Sequence, residues 1–270
     1  MVELDALLGR SPLLDLAWRA AAVAAGFLVS ERPDHLAIQT KSTPTDVVTA
    51  MDQGAEARII DGILAERPDD GILGEEGGER IGASGVRWVI DPLDGTVNYL
   101  YRLPEWGVSI AGEVEGEVVV GVIVTPALGE ASVALRGQGA WAVRGDRAER
   151  LRASDCSDLA QALVGTGFSY RREERVRQGG VVRNLLAEIR DIRRTGSAVI
   201  DLTAVARGRL DAFFESGLNR WDMAAGALIA EEAGASVTNL HGGSPFDGLL
   251  VAAAPGIAEP LRAVLQRLDA

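Results

Sequence analysis

The run VIDPLDGTVNY, residues 89–99, sets Asp91 and Asp94 three apart around Pro92 and Leu93 and follows them at once with Gly95 and Thr96. Pro92 fixes its φ and has no N–H to donate, and Asp-Gly favours a tight turn. The strand Trp88 to Ile90 points Asp91 off its end, so the two carboxylates can converge on one turn with the Leu93 carbonyl between them. Three hard oxygen donors in so short a stretch suit Mg²⁺. Gly95 and Thr96 open the next helical stretch, where free N–H groups and the helix dipole can hold an anion. A cation site and a phosphate site would then lie side by side. The local alternative is a capped turn, Asp-Pro into Asp-Gly, followed by a helix.

Three more acids invite the same question. On the helix expected over 46–66, Asp52 falls in the row Val48, Asp52, Glu56, Ile60, Leu64, beside the apolar row Val47, Met51, Ala55, Ile59, Ile63. A carboxylate there is either buried, and then paired, hydrogen-bonded or bound to a cation, or it is a half-exposed edge of the stripe. Glu75 follows the short apolar strand GILG and leads into glycines; as a lone feature it reads as a solvated loop acid. Asp222 stands in the first turn of a helix from about 221 to 233, where it can cap the helix and complement its dipole. Thr195-Gly196-Ser197 likewise feeds a helix whose N–H groups meet either substrate oxygens or a Ser197 cap.

The elements that must position these residues alternate along the chain. Helices are expected over 13–30 and 46–66, the latter ending before Pro68, then strands at GILG and VRWVI and hairpins through 106–127 and 130–135. The second half alternates strand and helix: QALVGTGF, then 173–189, DIRR, 198–207, LDAFF, 221–233, ASVTN and GLLVAAA, and a terminal helix. Such alternation argues for a layered α/β architecture. The charged patches at 74–87, 144–153 and 171–180 read as surface loops, and no repeat or low-complexity linker interrupts the chain. A boundary near residue 150 would leave both halves contributing to one site.

Composition narrows the function. With 270 residues, 47% of them hydrophobic, the chain can bury a large core. A net charge of −12 would repel a phosphate backbone, so direct nucleic-acid binding is not expected unless cations intervene. Cys156 is the sole cysteine, which excludes an internal disulfide and fits a cytoplasmic, reducing compartment. The apolar stretch LDLAWRAAAVAAGFLV carries Arg19 and reads as too short to span a bilayer, hence as a core helix.

Taken together, KSTPTDVVTAMDQ (41–53), GEEGG (74–78), DPLDGTVNY (91–99), GTGF (165–168), RRTGSAVIDL (193–202) and WDMAAGALIAEEAGA (221–235) resemble the inositol monophosphatase family, above all bacterial inositol-1-monophosphatases. The resemblance covers nearly the whole chain in order. It implies a five-layer αβαβα sandwich of the sugar phosphatase type and a lithium-sensitive, Mg²⁺-dependent phosphomonoesterase acting by metal-activated water. It further implies a first ion on Glu75, Asp91 and the Leu93 carbonyl, a second on Asp91, Asp94 and Asp222, and a third, weaker ion near Glu75. By the same likeness Thr96 and Asp52 orient and activate the attacking water, with Glu75 assisting, and Gly95 and Thr96 cradle the phosphate. The sugar hydroxyls would fall to Asp94, Gly196, Ser197, Ala198 and Glu215, with Lys41 an electrostatic contributor.

Leu93 stands where relatives often have Ile and Met51 where many have Thr, while Asn219, Arg220 and the loop after Phe168 lie where relatives vary and substrate choice could differ. Neither His35, His241 nor Cys156 is required, because no covalent phosphoenzyme is implied. The expected substrate is a small polyol phosphate such as myo-inositol 1-phosphate. The alternatives are histidinol phosphate or another small sugar or nucleotide phosphate and, from another class, a protein-binding scaffold in transcription or RNA processing. A homodimer is implied too, with the apolar hairpins at 107–135 readable either as its interface or as core.

Overall fold

The structure is a computed structural model that describes residues 1–36, 38–40 and 47–270. Lys41 lies outside the described residues. The described residues form five layers: a helix pair, a nine-stranded sheet, a second helix pair, a five-stranded sheet and a third helix pair. The layered αβαβα expectation holds.

The first layer pairs the helices Pro12–Ser30 and Ala50–Glu66, which bury Ala17, Ala21, Leu28, Ile59 and Ile63 against the large sheet. At 19 residues the helix Pro12–Ser30 is long and apolar enough to cross a membrane, contrary to the sequence reading. Eight of its side chains are instead packed into this core. The large sheet runs in the order Val2–Glu3, Arg147–Arg150, Gly139–Arg144, Glu130–Leu135, Glu117–Thr125, Gly107–Val114, Val86–Asp94, Gly71–Gly74, Gly78–Arg80. Its pairs are antiparallel except Gly71–Gly74 with Val86–Asp94. That parallel pair brings the ends carrying Glu75 and Asp91 together.

The middle layer, Ala198–Ala206 and Arg220–Glu232, is apolar nearly all round because a sheet covers it on each side. Close approach needs small residues: a Cβ on Gly121 would stand 2.9 Å from the carbonyl oxygen of Ala225. The second sheet has the order Asp191–Arg193, Leu163–Thr166, Ala212–Glu215, Leu250–Ala253, Ser236–Asn239, its first three strands parallel. The helices Arg172–Leu185 and Pro255–Arg267 cover its outer face.

One expectation is corrected and one open alternative is resolved. The charged patches are not simply loops: Arg147–Arg150 is a strand in which Ala148 faces in, Arg147 and Glu149 face out, and Arg150, on Ala148's side, stays exposed over the Trp141 ring; Gly78–Arg80 is an edge strand, and 171–180 lies mostly within the helix Arg172–Leu185. Charge on one face is compatible with a strand near a sheet edge. The hairpins at 107–135 are core of this chain, since Gly107–Glu113 and most of Glu117–Leu135 are buried between helix layers.

One buried ion cluster ties the fold to the acids. Glu113, fully buried, accepts from Arg87 Nε at 2.8 Å and from Arg220 Nε at 2.5 Å, and Arg220 begins the helix that carries Asp222. Removing the acid takes the buried partner from two guanidinium groups and leaves Arg87 its more exposed bond to Glu79 and Arg220 its bond to the Gly116 carbonyl. Glu113→Ala is therefore expected to cost about 3 kcal/mol in denaturant unfolding.

Candidate active site

The strand Val86–Asp94 does not end at Ile90. It continues through Pro92, where its register against Gly107–Val114 slips between Asp91 and Asp94. A bulge accommodates a proline that cannot donate to the ladder. The slip leaves Asp91 1% exposed, with its Oδ1 accepting from Leu93 N–H at 3.0 Å. Gly95 then turns the chain at φ +88°, where a Cβ would meet the Glu105 carbonyl oxygen at 2.8 Å, so glycine is required twice over. The short helix Thr96–Leu100 follows.

Asp52 is buried at 1% exposure, which removes the half-exposed alternative. The helix begins at Ala50, later than expected, because Thr49 caps it: Thr49 N–H and Oγ1 donate to Asp52 Oδ2 at 2.9 and 2.6 Å. The other oxygen, Oδ1, accepts from Thr96 Oγ1 at 2.9 Å, and the Leu93 carbonyl lies 3.1 Å from the same hydroxyl. Asp52 and Thr96, 44 residues apart, thus form one hydrogen-bonded pair. One turn along, buried Glu56 accepts from Glu76 N–H at 3.0 Å and Gly77 N–H at 2.5 Å, shaping the turn that presents Glu75.

Asp94 is held from the second half of the chain. Its Oδ2 accepts from Ser197 Oγ at 2.6 Å and Val199 N–H at 2.8 Å. Ser197 also caps its own helix through Ile200 N–H at 3.3 Å. The anion at this helix start is thus a carboxylate of the protein. Asn98 Nδ2 fastens the same junction, donating to the carbonyls of Glu105 and Thr195 at 2.6 and 2.9 Å. Asp222 does cap its helix, accepting from Asn219 N–H at 2.6 Å, and faces the other acids as well.

Glu75, Asp91, Leu93, Asp94, Gly95, Thr96, Gly196, Ser197, Ala198, Glu215 and Asp222 line one cleft of about 520 Å³. Asp52 joins it through Thr96. Burial, and then the charges of Glu75, Asp94 and Asp222, push the Asp91 carboxyl well above the usual range, and Glu75 and Asp91 share a hydrogen bond that needs a proton between them. Burial and Asp94 push Asp222 well up. Burial raises Asp94 too, opposed by the donors on Ser197 and Val199. Behind them burial and then Asp201 raise Glu215 to about 8, while burial lifts Asp201 to about 7.

No three His, Cys, Asp or Glu side chains among the described residues are already closed into a ligand cage. The donor set nevertheless fits a hard divalent cation: buried carboxylates whose mutual repulsion and desolvation a cation would relieve. Sequence reasoning missed Glu56, Asn98, Asp201 and Arg194. Only Glu56 left a signal, its place one turn after Asp52; Arg194, which lines the cleft and opposes the field of Asp94, Asp201 and Glu215, lay unremarked in RRTGS.

A mixed α/β sandwich with an acid-lined cleft between its sheets defines a class, and comparison with known proteins agrees. The chain matches the model of the inositol monophosphatase family over residues 10–268 and belongs to that family. It is a phosphatase. It is 45% identical to an inositol-1-monophosphatase of Mycobacterium leprae over 240 residues, 86% of this chain and 82% of that protein. It is 41% identical to the Nus factor SuhB of Escherichia coli K12, over 93% of this chain and 95% of that one. The crystal structure of the extragenic suppressor protein suhB of Bartonella henselae superposes with a TM-score of 0.88 at 37% identity, covering 95% of this chain and 99% of that one.

Proposed function

We propose that this phosphatase hydrolyses myo-inositol 1-phosphate, or a closely related small polyol phosphate, to the free polyol and inorganic phosphate with Mg²⁺ as its cation. The observation that carries the reading is the meeting of Asp91, Asp94 and Asp222 with Glu215, Gly196 and Ser197 in one cleft. Glu75, Asp91 and the Leu93 carbonyl would hold one ion, and Asp91, Asp94 and Asp222 a second, with a third, weaker ion near Glu75. When bound, the pair supplies an activated water and neutralises the phosphoryl and leaving oxygens. Thr96, its proton directed to Asp52 Oδ1, keeps an oxygen lone pair free to accept from that water, and Asp52 is placed to take up the proton through it. Gly95 and Thr96 N–H groups receive phosphate oxygens. Asp94, Gly196, Ser197, Ala198 and Glu215 meet the polyol hydroxyls, and Lys41 adds positive potential.

The two parts of the chain, about 1–150 and 151–270, act as a single unit in this reading, since the first brings Asp91 and Asp94 and the second Asp222 and Glu215. The protein is cytoplasmic, a homodimer, inhibited by Li⁺, and free of direct nucleic-acid contacts, in keeping with its charge of −12. A second reading is the scaffold alternative, action through protein contacts in transcription or RNA processing; it is kept because the Escherichia coli relative is named a Nus factor and not a phosphatase. Phosphate release from myo-inositol 1-phosphate, histidinol phosphate, fructose 1,6-bisphosphate and 3′-phosphoadenosine 5′-phosphate, with Mg²⁺, with EDTA and with Li⁺, decides among these. Mg²⁺-dependent, Li⁺-inhibited turnover strongest on the inositol ester is expected. Preference for another ester would move the substrate, and release from none would leave the scaffold reading.

A further inference from the structure

Two loops complete the cleft beyond the acids. Phe168–Arg171 follows the strand Leu163–Thr166, and Ser216–Asn219 follows the neighbouring parallel strand Ala212–Glu215; residues of both line the cleft. Among the described residues no backbone hydrogen bond joins one loop to the other. Among the described residues one side chain from the layer behind hydrogen-bonds to both. Gln178, on the helix Arg172–Leu185 and 8% exposed, accepts from Ser169 N–H at 2.8 Å through Oε1 and donates through Nε2 to Ser216 Oγ at 3.0 Å. The backbone donor at Ser169 requires the carboxamide oxygen on that side, which turns the NH₂ to Ser216.

The helix behind is a firm base, since Val181 and Leu185 are buried against the second sheet. Arg175 on the same helix donates to the carbonyls of Ser169 and Tyr170 at 3.1 and 3.4 Å, so the helix carries the first loop by three links. Gln178 is the link that reaches the second. The phosphate side of the cleft is built otherwise, from Asp94, Ser197, Asp52 and Thr96, none of which Gln178 touches.

We propose that Gln178 is a positioning residue for substrate choice: it couples the Phe168–Arg171 and Ser216–Asn219 loops into one wall, and that wall sets which alcohol portion of a phosphate ester fits. Tyr170 and Arg171 sit beside one end of the link and Gly217 and Leu218 beside the other, so loss of the link lets the two loops that line this end of the cleft move independently, while Glu215 stays paired with Leu250 in the sheet. This inference rests on the phosphatase reading. It adds a residue outside the cleft that acts on recognition and leaves the phosphoryl chemistry alone.

The test compares Gln178→Met, which keeps length and bulk but makes neither hydrogen bond, with Gln178→Glu, whose carboxylate accepts from both Ser169 N–H and Ser216 Oγ. Two lost hydrogen bonds are expected to raise KM for myo-inositol 1-phosphate about tenfold in Gln178→Met, with kcat within about twofold. Inhibition by inorganic phosphate, which has no alcohol portion, is expected unchanged. Gln178→Glu is expected to recover most of the KM, and the Ser169 amide to exchange about tenfold faster than wild type only in Gln178→Met. An unchanged KM, an equal loss in kcat and phosphate inhibition, or a Gln178→Glu variant as impaired as Gln178→Met would overturn the proposal. If the wild-type protein hydrolysed a different ester, the same comparison would be made on that ester. If it hydrolysed none, the phosphatase reading would fail, and unchanged Ser169 exchange would refute the coupling by itself.

Discussion

Asp94→Asn is expected to lower phosphate release by about a thousandfold while leaving the fold intact. The shape is conserved, and the amide oxygen can still accept from Ser197 Oγ and Val199 N–H, the bonds that join the strand end to the helix Ala198–Ala206. The second carboxylate oxygen becomes an NH₂ that turns protons toward any cation shared with Asp91 and Asp222. In chelator the variant should melt no lower than wild type, because burial already disfavours charge at Asp94 and the substitution removes its repulsion of Asp91 and Asp222. Loss of turnover with undiminished metal-free stability separates a site residue from a structural one. Near-normal turnover would overturn the metal assignment.

A large pH effect on metal-free stability is the second expected result. Asp91, Asp222, Asp201 and Glu215 all have carboxyl groups raised in the folded protein, so over the interval between ordinary and raised values the folded state binds more protons than the unfolded chain. Stability then falls as pH rises, from the ordinary values of 3.8 and 4.5 up through about 7 for Asp201 and about 8 for Glu215. Moving Asp201 from 3.8 to about 7 amounts to roughly 4 kcal/mol. Between pH 5 and 8 about 2.6 kcal/mol of this is lost, so that single group is enough to lower Tm by about 5 °C in EDTA. Excess Mg²⁺ should remove the part due to Asp91, Asp94 and Asp222 and leave the part due to Asp201. Thermal unfolding at both pH values, with and without Mg²⁺, reads this; stability that rises with pH in EDTA would contradict it.

The parts of the site that were legible in the sequence are those whose chemistry is local. Asp91, Leu93, Asp94, Gly95 and Thr96 share six consecutive residues, and any fold that keeps the turn keeps them together. Asp52 was half legible: its helical row placed it beside the core, but its burial depended on Thr96, brought there by the sheet. Glu75 and Asp222 had sound local explanations, and for Asp222 the cap is real; a single carboxylate can cap a helix and face the other acids of the cleft.

What stayed hidden was non-local or masked by charge. Glu56 binds backbone N–H groups 20 and 21 residues away, which no spacing rule announces. Arg147–Arg150 reads as a loop by composition and becomes a strand because Val2–Glu3 and Gly139–Arg144 flank it. The strand carrying Asp91 outran its expected end because a bulge, invisible to an alternating pattern, absorbs Pro92. Gln178 lay in a charged, weakly apolar helix whose two contacts exist only once three elements have packed.

The most direct measurement is the position of the ions themselves. Crystals grown with Mn²⁺ in place of Mg²⁺, and with inorganic phosphate, would be examined by anomalous diffraction. The expected map has two strong peaks in the cleft, one bound by Glu75, Asp91 and the Leu93 carbonyl and the other by Asp91, Asp94 and Asp222, with phosphate against both. Peaks elsewhere, or none in crystals of protein that still releases phosphate, would contradict the reading of these acids as a metal centre.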